Sequence, residues 1–171
     1  KKNVMGIWRA AWSLLDSGDQ LCYFSLEVCQ VSKNGIDKKD GMLGEETIVN
    51  EVMEMVDTFL SLVTIEDELD RQLAAAYIFG MVNGTAQKES LTQEDVQALM
   101  VHIGVDKLTY SEEVAYQMTQ FVIDATDEEF HPTVNAIIHR GLEGYFLYSD
   151  QEFDALSEDF SEVVQVVKED L

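Results

Sequence analysis

The chain has 171 residues, 46% of them hydrophobic, with 33 acidic against 11 basic residues and a formal net charge of -22. This length and composition suffice for one folded domain over residues 1–171 with its own core, which argues against intrinsic disorder. The excess of acid excludes a basic patch for nucleic acid or anionic lipid, and favours a basic protein as partner.

Two helices are predicted first, over residues 4–15 and 20–31, although β-favouring residues leave a strand open for 21–31. The polar segment that follows contains an Asn-Gly pair and two further glycines. Such composition is typical of a connection without regular structure. We therefore predict a flexible loop at 32–45.

The two cysteines bear on the cellular compartment. Cys22 and Cys29 lie seven residues apart, too far along one helix for a disulfide, and both sit among apolar residues. Reduced, buried cysteines are expected in the cytoplasm. Arg9 and Ser13 break the first apolar run, so neither a secretory signal nor a membrane span is predicted.

Six more helices are predicted where apolar residues recur at helical spacing. Thr64, Thr92 and Ser149 each stand three residues before an acid in capping-box order, Ser111 precedes two glutamates, and Pro132 suits a first helical position. The resulting fold class is all-α, a single-domain antiparallel bundle of about eight helices. The six segments are 46–63, 64–88, 92–104, 111–125, 132–145 and 149–171.

No sequence motif of a nucleotide-binding loop, a zinc protease or a serine hydrolase is present, and the chain has three histidines. His139 and Glu143 share a helical face, so they offer an acid–base or metal-ligand pair. The structural alternative has Arg140 pairing with acids of neighbouring helices, beside glycines that allow close packing. Because the structural alternative accounts for more of this segment, we predict no catalytic residue, cofactor or metal.

Acidic residues concentrate in the last predicted helix and in the segment 45–70. If the two segments adjoin, they form a negative docking surface for a basic protein; the alternative is an ordinary solvated exterior. Tyr148 is the candidate aromatic anchor. The candidate contact acids are Glu66, Asp67, Glu68, Asp150, Glu152, Asp154, Glu158 and Asp159.

Three strings carry a family resemblance: FHPTVNAIIHRGLEGY at 130–145, MVNG at 81–84 and VQALM at 96–100. From about Ala74 to the C-terminus the chain resembles the all-α immunity proteins of bacterial polymorphic toxin systems, most closely immunity protein 48. The motif residues that serve the fold or the partner are His131, Asn135, His139, Arg140, Glu143 and Tyr145.

The resemblance implies a non-enzymatic cytoplasmic protein that binds a cognate toxin and blocks it. The toxin is expected to be basic, with no direct contact to nucleic acid or membrane; the oligomeric state stays open. Two other functions remain: an acidic adaptor or DNA mimic that binds basic proteins, and a metal-binding helical enzyme that uses His131, His139 and Glu143.

Overall fold

The computed structural model describes residues 42–170, which form six helices and no strand. The first two predicted helices, both cysteines and positions 32–41 of the predicted loop lie outside the described residues. Within the described part, none of the helices is long and apolar enough to cross a membrane. The helices are α1 Met42–Leu62, α2 Glu68–Glu89, α3 Gln93–Asp106, α4 Glu112–Asp124, α5 Pro132–Ser149 and α6 Phe153–Glu169.

Three predicted helix starts are confirmed by their end contacts. Thr92 and Asp95 form a reciprocal capping box at α3, and Ser111 accepts a hydrogen bond from the Val114 backbone at α4. Pro132 is the first residue of α5, where its missing N–H costs nothing. These starts follow from local chemistry, which is why the sequence reveals them.

Three predicted starts differ from the structure. Helix α2 begins after Asp67, whose side chain accepts from the Asp70 backbone, and not after Thr64. Ser149 does not start α6, because its hydroxyl donates to the Tyr145 carbonyl oxygen one turn back and so belongs to α5. Helix α1 begins at Met42, so the last four positions of the predicted loop are helical.

The helix directions follow from contacts between helices. Helix α2 is antiparallel to α6. Asp70, near the start of α2, pairs with Lys168 near the end of α6, whereas Tyr77, further along α2, donates a hydrogen bond to Asp159, which precedes Lys168 by nine residues. Helix α5 is also antiparallel to α6, since the two are joined by a short turn. Helices α2 and α5 therefore run parallel, and they are the most closely packed pair, which differs from a purely antiparallel bundle.

Three aromatic rings mark the centre of the core. Phe59 of α1 stacks on Tyr77 of α2 with centroids 5.1 Å apart, and Phe160 of α6 meets both rings edge-on. All three side chains are fully buried. Such offset and edge-on pairs stabilise beyond their buried area, so this cluster fixes how α1, α2 and α6 sit against each other.

Candidate partner-binding surface

Two glycines of α5 allow α2 to approach it at backbone distance. A Cβ atom on Gly141 would lie 2.0 Å from the Tyr77 carbonyl oxygen, and one on Gly80 of α2 would lie 2.1 Å from a carbonyl oxygen of α5. One turn on, Gly144 leaves room for the Tyr77 hydroxyl. The inward half of the 139–145 segment is therefore occupied by helix packing.

Arg140 joins α5 to α6 from the same segment. Its Nε donates to Asp159 Oδ1 at 2.9 Å, and its Nη2 donates to Asp159 and, at 2.8 Å, to Glu162. The Tyr77 hydroxyl donates to the other Asp159 oxygen at 2.7 Å. The bonds to Asp159 and Glu162 raise the pKa of Arg140, while burial and then the bond to Asp159 raise the pKa of Tyr77. Both donors stay protonated at neutral pH, so Asp159 is engaged by the fold.

The outward face of α5 carries the other half of the segment. His139, Glu143, Phe146 and Asp150 follow one another every three or four positions, and all are exposed. Phe146 is 56% exposed, and its ring contact within the described part is with Tyr145, at a centroid distance of 5.4 Å. In the same part, His139 and Glu143 make no ion pair with each other. These four side chains are therefore available to a partner.

The predicted acids around the start of α2 are divided between fold and solvent. Asp67 pairs with Lys168 at 3.2 Å, and Glu68 accepts a hydrogen bond from the Tyr110 hydroxyl at 2.9 Å. The carboxylates of Asp67 and Glu68 are therefore engaged by Lys168 and by the Tyr110 hydroxyl of the same chain. The Glu66 side chain is exposed, and its backbone N–H donates to Asp70 Oδ2 at 3.0 Å.

The other predicted acids gather where α5 turns into α6. Asp150, Glu152, Asp154 and Glu158 are exposed, and none forms an ion pair or side-chain hydrogen bond within the described residues. We call these four residues the α5–α6 corner. Lys168 of α6 contacts the acids at the start of α2, and the corner residues lie 10 to 18 positions before it, so roughly 15–25 Å along the chain direction of α6 separates the two groups. The predicted acidic surface therefore has two parts, at opposite ends of α6.

Tyr148, the predicted anchor, is half-buried. Its ring packs against Phe153 with centroids 6.1 Å apart, and burial followed by the nearby Glu54 of α1 raises its pKa. Phe146 is the more exposed aromatic on this helix. Phe146 is not predicted from the sequence, because this residue lies outside the apolar stripe of α5. A phenylalanine outside the apolar stripe of a helix is itself a sign of an exposed ring.

Every basic residue between positions 42 and 170 forms an ion pair. There are five of them against 28 acids in this part of the chain. Because the pairs use seven acids, most carboxylates face solvent with no lysine or arginine of this part beside them. The pairs are Arg71 with Glu68, Lys88 with Glu89, Lys107 with Asp57, Arg140 with Asp159 and Glu162, and Lys168 with Asp67 and Asp70.

The turn between α4 and α5 holds two further motif residues. His131 is buried at the N-cap of α5, where Nδ1 accepts from the Val134 backbone, and burial lowers its pKa. The Asn135 amide donates to the carbonyl oxygens of Ala125 and Thr126. Both residues join α4 to α5. Among the described residues, no three His, Cys, Asp or Glu side chains are grouped as a metal site would require.

The family model for immunity protein 48 matches residues 48–168. The chain belongs to the immunity protein 48 family. The match runs from within α1 to the last turn of α6. It begins at residue 48, whereas the sequence strings indicate a resemblance only from about Ala74 onward. Neither a search of curated proteins nor a search of solved structures gives a match.

Proposed function

We propose that this member of the immunity protein 48 family is a non-enzymatic inhibitor that binds a cognate toxin directly through the α5–α6 corner. The observation that carries the proposal is the pairing of all five basic residues between positions 42 and 170 with acids of the chain. Each of these cations thereby lies beside a carboxylate of the chain itself, including Lys88, whose side chain is 64% exposed. A corner of four carboxylates without such partners is then complementary to a basic protein face.

The chemistry of the corner favours a toxin over a nucleic acid or a membrane. Carboxylates repel phosphate, and a surface of this sign attracts lysine and arginine over several ångströms of solvent. Long-range attraction raises the association rate, which suits an inhibitor that must act before damage occurs. The proposal places this encounter in the cytoplasm, where toxin and inhibitor from the same or kin cells would meet.

A capture experiment with a matched control tests the proposal. The corner variant D150N/E152Q/D154N/E158Q removes four charges that make no described ion pair. The control E94Q/E113Q/E128Q/E129Q removes four exposed charges elsewhere, two of them in the first turns of α3 and α4. Both sets therefore lose the same charge; the corner variant loses one favourable first-turn acid, Asp154, and the control loses two.

Wild type and both variants serve as bait in lysate of the native host, with salt elution and mass spectrometry. We expect wild type and control to retain one basic protein whose expression stops growth, and wild type to restore growth on co-expression. The corner variant should lose both effects while its circular dichroism is unchanged. Equal loss in both variants, or retention of toxin by the corner variant, would refute the corner as the binding site. Capture of many DNA-binding proteins would instead support a DNA mimic.

A further inference from the structure

Phe146 lies between two carboxylates on one outward stripe of a helix. Glu143 precedes it by three positions and Asp150 follows it by four, and all three side chains are exposed. On a helix these spacings place neighbours roughly 5–6 Å apart, and Asp150, the C-cap of α5, keeps its place one turn after Phe146 because its backbone N–H donates to the Phe146 carbonyl oxygen. The stripe thus presents an aromatic face with a negative group on each side.

Phe146 contributes little to the packing of the described helices. Its ring contact among the described residues is with Tyr145, whose ring in turn covers Gly84, and more than half of its surface meets solvent. Lys88, which interacts electrostatically with Tyr145, is paired with Glu89 at 3.2 Å. All five lysine and arginine side chains of residues 42–170 pair with acids, so a lysine or arginine for this stripe comes from outside that part of the chain.

We propose that an arginine of the toxin stacks its guanidinium on Phe146 and bonds Glu143 and Asp150 with the edges of the same group. The inference rests on the proposed function and names the chemistry of the partner at this site. Arginine fits better than lysine because a planar guanidinium can lie on a ring while its edge N–H groups reach carboxylates. An ammonium ion is more strongly hydrated and does not match both features at once.

The other exposed rings of the described part differ from Phe146 in this respect. Phe130 lies in the turn before α5 and packs edge-on against Phe121 at 5.6 Å. Tyr116 has acids one turn before it, at Glu112 and Glu113, but a glutamine at the position four residues after it. Phe130 therefore provides a matched control, as an exposed phenylalanine near acids without a carboxylate on each side along a helix.

The first test uses two end-blocked probes of equal charge, hexa-arginine and hexa-lysine peptides, titrated into the full chain with carbon-13 label in the phenylalanine rings. We expect hexa-arginine to shift the Phe146 ring signals more than hexa-lysine at equal saturation, and Phe130 to show no such difference. The arginine preference should amount to about two- to fivefold in affinity, and it should disappear in F146A and in F146L while F130A keeps it. F146L distinguishes stacking from plain apolar contact, because leucine keeps the bulk and loses the ring. Equal shifts for both peptides, or a preference that survives in F146L, would overturn the proposal.

The second test uses the toxin that the capture experiment identifies. F146L should weaken its binding by about twofold or more, and replacing the contacting toxin arginine by lysine should weaken wild type but add little to F146L. Unchanged toxin affinity in F146A would refute the role of Phe146 and leave the proposed function standing. Failure of wild type to bind any toxin would refute the proposed function, whatever the peptides show.

Discussion

The approach of α2 to α5 predicts a large effect of a single methyl group. In G141A the new Cβ would meet the Tyr77 carbonyl oxygen at 2.0 Å, which is a backbone atom and cannot rotate away. Ordinary contact needs about 3.5 Å, so the helices must separate by roughly 1.5 Å. Overpacking of this kind costs about 1–3 kcal/mol or somewhat more, and the better helix propensity of alanine returns about 1 kcal/mol.

Because the clash is with a backbone atom, we expect a cost at the upper end of this range, so G141A should lower the net free energy of unfolding by about 2 kcal/mol, or the melting temperature by about 4–8 °C. Urea unfolding followed by circular dichroism measures the change, with the dependence on urea compared between variants to confirm that the same surface unfolds. The displaced Tyr77 would also loosen its stacking on Phe59.

The control is G104A, which makes the same substitution inside α3. There the new Cβ would meet the methyl group of Ala115 at 2.8 Å rather than a backbone oxygen. The neighbouring helix α4 has to move less, so we expect a change within about 1 kcal/mol of wild type. If G141A were as stable as G104A or more stable than wild type, the close crossing of α2 and α5 would be wrong.

Three further substitutions test contacts that position the helices. T92A removes the side chain that caps α3 together with Asp95, and should cost about 1 kcal/mol in urea unfolding, whereas no change would contradict the capping box. Y77F removes the hydroxyl that donates to Asp159 and should cost about 1 kcal/mol by the same measurement, with stability equal to wild type as the contrary result. Burial lowers the pKa of His131, so the unfolded state binds the proton first and stability should fall as pH drops below about 6.5. H131N keeps a good cap without this titration, so melting curves over pH should show a smaller acid loss than wild type, and equal losses would contradict the assignment.

Sequence reasoning located most helices because their signals are local. Thr92, Ser111 and Pro132 act within one turn of backbone, and each starts a helix where predicted. Local signals do not decide between two neighbouring residues that both suit the N-cap of one helix. Thr64 and Asp67 both suit an N-cap, and only the packed position of α2 decides for Asp67.

The pairing of helices was beyond reach of the sequence for a different reason. Short connections favour antiparallel neighbours, yet the closest pair, α2 and α5, is separated in the chain by two other helices. The glycines beside Arg140 predict close packing, but the sequence does not name α2 as the helix that packs there. The count of eight helices also includes two that fall before the described residues.

The candidate surface was predictable in sign but not in detail. Glu158 and Asp159 are adjacent acids in the sequence, but one is exposed and the other holds Arg140 and Tyr77. Periodicity predicts the face of a helix and not the cation that a neighbouring helix supplies. Periodicity also does not show which aromatic side chain a neighbouring helix covers. The sequence predicts Tyr148 as the anchor, whereas the structure half-buries Tyr148 and exposes Phe146.

Whether the α5–α6 corner binds the toxin is best decided by the salt dependence of the complex. The dissociation constant of the purified toxin complex is measured from low to high sodium chloride for wild type, the corner variant and the matched control. We expect tight binding that weakens with salt for wild type and control, and weaker binding with a flatter salt dependence for the corner variant. Identical affinities and slopes for all three proteins would contradict the claim that the α5–α6 corner binds the toxin.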